Sequence, residues 1–119
     1  MSSGMPATFI FFNIYEIVMK VLFICNQNEN RSKTAEELFK AKFETKSAGL
    51  YNEKPLTEKQ LGWADVVVVM EDRQRSEIAK RFPKVYMQKR ILSLDIPDVY
   101  YRDQPELVKM LRSKMKELA

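Results

Sequence analysis

The sequence predicts an α/β protein, a three-layer α/β/α sandwich on a four-stranded parallel sheet. Two observations predict it. Strand-like runs at residues 20–24, 44–48, 65–70 and 90–94 alternate with stretches whose apolar residues fall at helical spacing. Strands separated by helices pair in parallel through right-handed crossovers, with helices on both faces. The second observation is size and composition: 119 residues, 45% hydrophobic and 30% charged, suit one domain with a core that needs no disulfide or metal.

Each element has its own reason. Residues 20–24 form a continuous apolar run suited to a buried parallel strand. Over residues 32–43, Ala35, Leu38, Phe39 and Phe43 share a helical face, with Ser32 near the start. Residues 44–48 read as a short strand closed by Gly49, and Thr57 with Gln60 has capping-box spacing for a short helix reaching Trp63. Residues 65–70 contain four consecutive valines, the clearest buried strand. A helix over 73–82 is expected to stop at Pro83. After the strand at 90–94, Pro105 opens a last helix with Leu107, Val108, Leu111, Met115 and Leu118 as its apolar stripe.

Residues 1–18 stand apart. Phe9-Ile-Phe-Phe-Asn-Ile-Tyr15 is apolar but has no basic residue before it, and it is too short to span a bilayer. We expect a dispensable extension at 1–18, a domain at 19–119, and no membrane partner.

The net charge of +4 is spread along the chain, a solvated basic surface that attracts anions without implying nucleic acid. A single cysteine excludes an internal disulfide and paired-cysteine metal sites, and fits a reducing, cytoplasmic setting. The absence of histidine removes Ser-His-Asp and Cys-His nucleophile pairs and histidine-based metal sites. No cofactor or metal is expected. Nothing in the residues specifies an oligomeric state.

Cys25 closes the first strand, and Arg31-Ser32 follows after five residues. A free thiol near pKa ~8.5 is mostly protonated at neutral pH. Backbone N–H groups of Asn26, Gln27, Asn28, Glu29 and Asn30, curled ahead of a helix N-terminus, favour negative charge on sulfur and on a bound phosphate. Arg31 adds a planar fork for two phosphate oxygens, and Ser32 a hydroxyl for the sulfur. The alternative is that Cys25 is a small buried hydrophobe at a strand end. The strand-loop-helix context favours the functional reading. In a parallel sheet, ligands sit at the carboxyl ends of the strands, where the Cys25 loop, the turn after Met70 and the Asp98 loop can meet.

These residues resemble the low-molecular-weight protein tyrosine phosphatase family, whose signature is Cys-x5-Arg-Ser/Thr after the first strand. Ala35-Glu36, Ser47-Ala-Gly49, residues 65–70 with Glu71 and Asp72, and Ile96-Pro-Asp98-Val-Tyr-Tyr101 match further family features in order over residues 19–119. The resemblance implies that Cys25 attacks phosphorus, Arg31 stabilises the equatorial oxygens, and Asp98 protonates the leaving oxygen and then activates water. Asp95 is the competing acid. Tyr100, Tyr101 and Tyr51 are candidates for a substrate wall, with ordinary packing as the alternative. The implied substrate is a phosphorylated protein or small phosphomonoester.

The departures are informative. Gln27 stands where the family usually has glycine, while Asn28 keeps an asparagine that tolerates a left-handed backbone. Asn30 replaces a second cysteine, and the segment between Gly49 and Asp65 is short. Glu29 occupies a rim position, where it either is a solvated carboxylate or favours cationic groups, phosphoarginine among them. Arsenate reductases of this architecture need further cysteines, and a phosphocysteine carrier has no need of Arg31. A non-catalytic phosphate-binding or adaptor module is the alternative from a different class.

Overall fold

The computed structural model describes residues 18–117. The proposed extension at 1–18 therefore lies, apart from Val18, outside the described residues, as does Leu118 of the last apolar stripe.

Four parallel strands form one sheet: β1 (Lys20–Cys25), β2 (Glu44–Gly49), β3 (Val66–Val69) and β4 (Arg90–Ser93), in spatial order β2-β1-β3-β4. The helices are α1 (Arg31–Phe39), α2 (Glu58–Trp63), α3 (Asp72–Arg81), α4 (Pro83–Gln88) and α5 (Pro105–Lys114), the last continuing into a 3-10 turn, Met115–Glu117. The expected α/β/α sandwich is present.

Strand alternation builds its two cores. Val21, Phe23 and Cys25 of β1, with Val66 and Val68 of β3, face Ala35 and Phe39 of α1 and Leu107 and Leu111 of α5. Leu22, Ile24, Val67 and Val69 face the other way, onto Leu61 of α2 and Ile78 of α3. Because β1 and β3 are covered on both faces, their sequences are unbroken apolar runs. Each fully buried aliphatic or aromatic side chain here contributes about 1.5–3 kcal/mol. The edge strand β2 is polar, and Lys46 lies over the Trp63 ring at 4.4 Å, a charge that blunts the open edge.

The chain runs from β1 outward to β2, then crosses back to β3 on the other side of β1. That reversal opens a crevice at the carboxyl ends of β1 and β3, with α1 and α3 leaving on opposite faces. Cys25 is the last residue of β1.

Several boundaries differ from the expectation. Helix α1 ends at Phe39 rather than Phe43, because the chain must turn to enter β2, where Glu44 N–H donates to the Met19 carbonyl at 2.9 Å. Phe43 still packs against Phe39 from that turn, ring centroids 6.5 Å apart. Pro83 does end α3, and it also opens α4: its fixed φ and missing N–H suit a first helical position as well as a stop. Asp65 lies just before β3: its N–H donates to the Lys20 carbonyl at 2.8 Å and its carboxylate accepts from Lys20 N–H at 2.9 Å. The expected capping box at Thr57 and Gln60 forms in both directions.

Candidate active site

β1 delivers Cys25 to the crevice 3% exposed, its carbonyl tied to Leu50 N–H at 3.1 Å. The loop then reverses through Asn28, whose φ of 58° is left-handed. The Asn28 N–H donates to Cys25 Sγ at 3.2 Å. Asparagine adopts the left-handed conformation at lower cost than most side chains. Helix α1 follows at once, bringing Ser32 Oγ to 2.9 Å from Sγ and 2.7 Å from Asn28 Oδ1. The hydroxyl has one proton to share. With the thiol protonated, S–H donates to Ser32 and Ser32 to Asn28; as thiolate, the sulfur accepts from both the Ser32 hydroxyl and the Asn28 N–H.

Gly49 makes the close approach of β2 possible. A Cβ there would sit 2.9 Å from Asn52 Cγ and 3.0 Å from the Asn26 carbonyl oxygen, inside any normal contact. The same Asn26 carbonyl accepts from Tyr51 N–H at 2.9 Å, which fastens the start of the loop to the end of β2.

Arg31, the first residue of α1, is 1% exposed. A buried guanidinium must be paired, and Nη1 donates to Glu71 Oε1 at 2.8 Å and to the Ile96 carbonyl at 2.7 Å. Among the described residues, Nε and Nη2 have no hydrogen-bond partner. Asp98 Oδ1 lies 3.6 Å from Nε, an ion-pair distance too long for a hydrogen bond. Cys25, Gln27, Glu29, Asn30, Arg31 and Asp98 line one small pocket. A thiol, two nitrogens of a fixed cation that make no hydrogen bond among the described residues, and a half-exposed carboxyl thus share a single concavity.

Solved structures with this architecture are similar over most of their length. A low-molecular-weight protein tyrosine phosphatase from T. tengcongensis is 23% identical, aligned over 81% of this chain and 92% of its own, at a TM-score of 0.65. The tyrosine phosphatase Wzb from Escherichia coli K30, solved with phosphate, is 19% identical over 85% and 96%, at 0.68. The YwlE arginine phosphatase from Geobacillus stearothermophilus is 21% identical over 84% and 85%, at 0.59. The chain has the low-molecular-weight phosphatase fold. Neither a protein-family model nor a curated protein sequence matches it.

Within the low-molecular-weight phosphatase fold, the three residues singled out for catalysis, Cys25, Arg31 and Asp98, come together at the pocket. Asp95, the competing acid, is exposed with a left-handed φ of 57° and does not line it. Asn28 and Ser32 lie on the sulfur, while Gln27, Glu29 and Asn30 form part of the pocket lining. The tyrosines separate. Tyr100 packs against the core with its hydroxyl 4.0 Å from Met110 Sδ, and Tyr101 is 80% exposed. Tyr51, with Arg81 stacked 5.1 Å from its ring, lines a neighbouring cleft with Gln27, Glu29, Asn52, Glu53 and Lys54.

Two contributors were not singled out from sequence: the Ile96 carbonyl and Gln74. Glu71 enters the sequence reading only with Asp72, beside residues 65–70, as one of the family-like features. A signal existed for it, since a buried arginine after the nucleophile needs a carboxylate and Glu71 directly follows a strand end.

Proposed function

We propose that this protein is a cysteine-dependent phosphatase acting on phosphomonoesters without a metal. One observation carries the reading: Arg31, buried and fixed through Nη1, has Nε and Nη2 without a hydrogen bond among the described residues, in a pocket shared with Cys25 and Asp98. A buried cation with two such donors in a planar fork suits an oxyanion with two equatorial oxygens.

In the proposed reaction the Cys25 thiolate attacks phosphorus in line, forming an S–P bond as the P–O bond to the leaving group breaks. Asp98 gives its proton to that oxygen. Water then attacks phosphorus, Asp98 takes the proton back, and cleavage of S–P releases phosphate and restores the thiolate. Arg31 and the loop N–H groups stabilise charge on the transferring group in both steps. The working compartment in this reading is the cytoplasm, because the one thiol must stay reduced.

The test is hydrolysis of para-nitrophenyl phosphate in the presence of a metal chelator. Cys25→Ser and Arg31→Ala are expected to lose about a thousandfold or more in kcat/KM. Activity that survives Cys25→Ser, or that requires a metal, overturns the mechanism. Tight phosphate binding with no turnover supports the adaptor reading instead.

A phosphoarginine substrate is the second reading. Glu29 lines both the Cys25 pocket and the cleft beside it, where Glu53 adds a second carboxylate against one lysine, Lys54, so the balance of charge beside the phosphate favours cationic groups. Equal turnover of acidic and basic phosphopeptides by wild type and Glu29→Ala would remove it.

A further inference from the structure

Gln74 is 1% exposed, in the first turn of α3, and its side-chain hydrogen bonds lead to the residues that frame the active site. Its Oε1 accepts from Met70 N–H at 2.8 Å and Glu71 N–H at 3.0 Å, the two amides where β3 hands over to α3. Two backbone donors on one oxygen fix the orientation of the amide, because an NH2 group cannot accept them. Nε2 must then point the other way, and it donates to Asn26 Oδ1 at 3.0 Å. Asn26 is the residue directly after Cys25.

The consequence is a closed circuit. One end of the phosphate-binding loop, Asn26, is held by Gln74; the other end, Arg31, is held by Glu71, whose own N–H Gln74 accepts. Both ends of the loop are thus tied by side chains to one turn, Met70 to Gln74, in addition to the bonds of the Asn26 carbonyl to Tyr51 N–H and of Arg31 to the Ile96 carbonyl. Gln27 stands at the loop's second position with its side chain exposed, leaving Asn26 as the residue through which the first half of the loop is fastened to the body.

Resting on the phosphatase reading above, we propose that Gln74 is a positioning residue for the reaction: through Asn26 it sets the angle at which the loop meets Cys25 and keeps that angle in register with the Arg31 fork. Among the described residues Gln74 makes its side-chain hydrogen bonds to Met70, Glu71 and Asn26, not to Cys25 or Arg31. Its effect passes through Asn26 on one side and Glu71 on the other. A displacement of about 1 Å in such a site can cost about a hundredfold in rate.

A double-mutant cycle tests this, with Gln74→Ala, Asn26→Ala and the double variant. Two rates are read: kcat/KM for para-nitrophenyl phosphate, and alkylation of Cys25 by iodoacetamide at neutral pH. Gln74→Ala is expected to lower kcat/KM by about tenfold or more and to slow alkylation. In the Asn26→Ala background the same change costs at least about threefold less, because the strut is already gone. Asn26 is on a half-exposed loop, so Asn26→Ala remains informative if Gln74→Ala folds poorly: it is expected to slow both rates while leaving the melting temperature close to wild type.

Losses that simply multiply would overturn the proposal, since Gln74 would then act only by stabilising the start of α3. Unchanged rates in Asn26→Ala would overturn it as well. The alkylation cycle needs no turnover. If the wild type hydrolyses no phosphomonoester, the phosphatase reading fails by itself, and coupling in alkylation still decides whether the strut positions the loop.

Discussion

Arg31 and Glu71, forty positions apart, form an ion pair of 2.8 Å that fixes the guanidinium by one nitrogen and leaves its Nε and Nη2 without hydrogen bonds among the described residues. The arginine is nearly inaccessible while the carboxylate is 21% exposed, so the pair has one buried and one partly solvated member. Glu71→Ala leaves Nη1 with the Ile96 carbonyl alone. The expected loss is about 1–3 kcal/mol of stability, read from the urea midpoint, together with weaker inhibition by phosphate. Glu71→Gln, which keeps an acceptor, should fall between. An unchanged midpoint in Glu71→Ala would show that the pair does not hold the fork.

Asp98 stands 3.6 Å from Arg31 Nε and is about half exposed, and the proposed mechanism has it protonate the leaving oxygen. Protonation matters most when that oxygen leaves as a strong base. Asp98→Asn is expected to lower kcat by about a hundredfold or more for phenyl phosphate and by clearly less for para-nitrophenyl phosphate, whose leaving group is stable as an anion. Equal losses on the two substrates would remove Asp98 as the acid.

Ser32 is the side-chain partner of the sulfur at 2.9 Å. Ser32→Ala removes that hydroxyl and also leaves Asn28 Oδ1 without its donor. The expected result is slower alkylation of Cys25 by iodoacetamide at neutral pH and lower kcat, with the sheet intact by circular dichroism. Alkylation as fast as wild type would mean that the loop N–H groups alone activate the sulfur.

Gly49→Ala introduces a methyl group 2.9 Å from Asn52 and 3.0 Å from the Asn26 carbonyl. Overpacking of this kind costs about 1–3 kcal/mol. Both a lower melting temperature and reduced turnover are expected, because the group that must move is the backbone that carries the loop. A lower melting temperature with full activity would place the relaxation in the flexible Asn52 side chain instead.

Much of the site was legible because its inner half is local. Five residues separate Cys25 from Arg31, so a strand, a tight loop and a helix place them together with little help from the rest of the chain. Asn28 in the left-handed region and Ser32 under the sulfur follow from the same short span. The tyrosines were less legible. Periodicity cannot say which way a loop side chain turns, and Tyr100 meets the core while Tyr51 stands at a neighbouring cleft.

The sequence by itself determined the alternation of strands and helices, the parallel sheet, and the thiol-arginine loop at its first strand end, since these depend on apolar patterning and on residues within one turn of each other. Tertiary structure decided where helices stop, as at Phe39, and that Pro83 opens a helix as well as ending one. It also decided what holds Arg31. A buried guanidinium takes the acceptors that surrounding segments present, here Glu71 after β3 and the Ile96 carbonyl after β4. Residues forty and sixty-five positions away meet it only because the sheet gathers its strand ends at one edge. The nucleophile loop is a local property of this chain, and the orientation of its cation is a property of the whole fold.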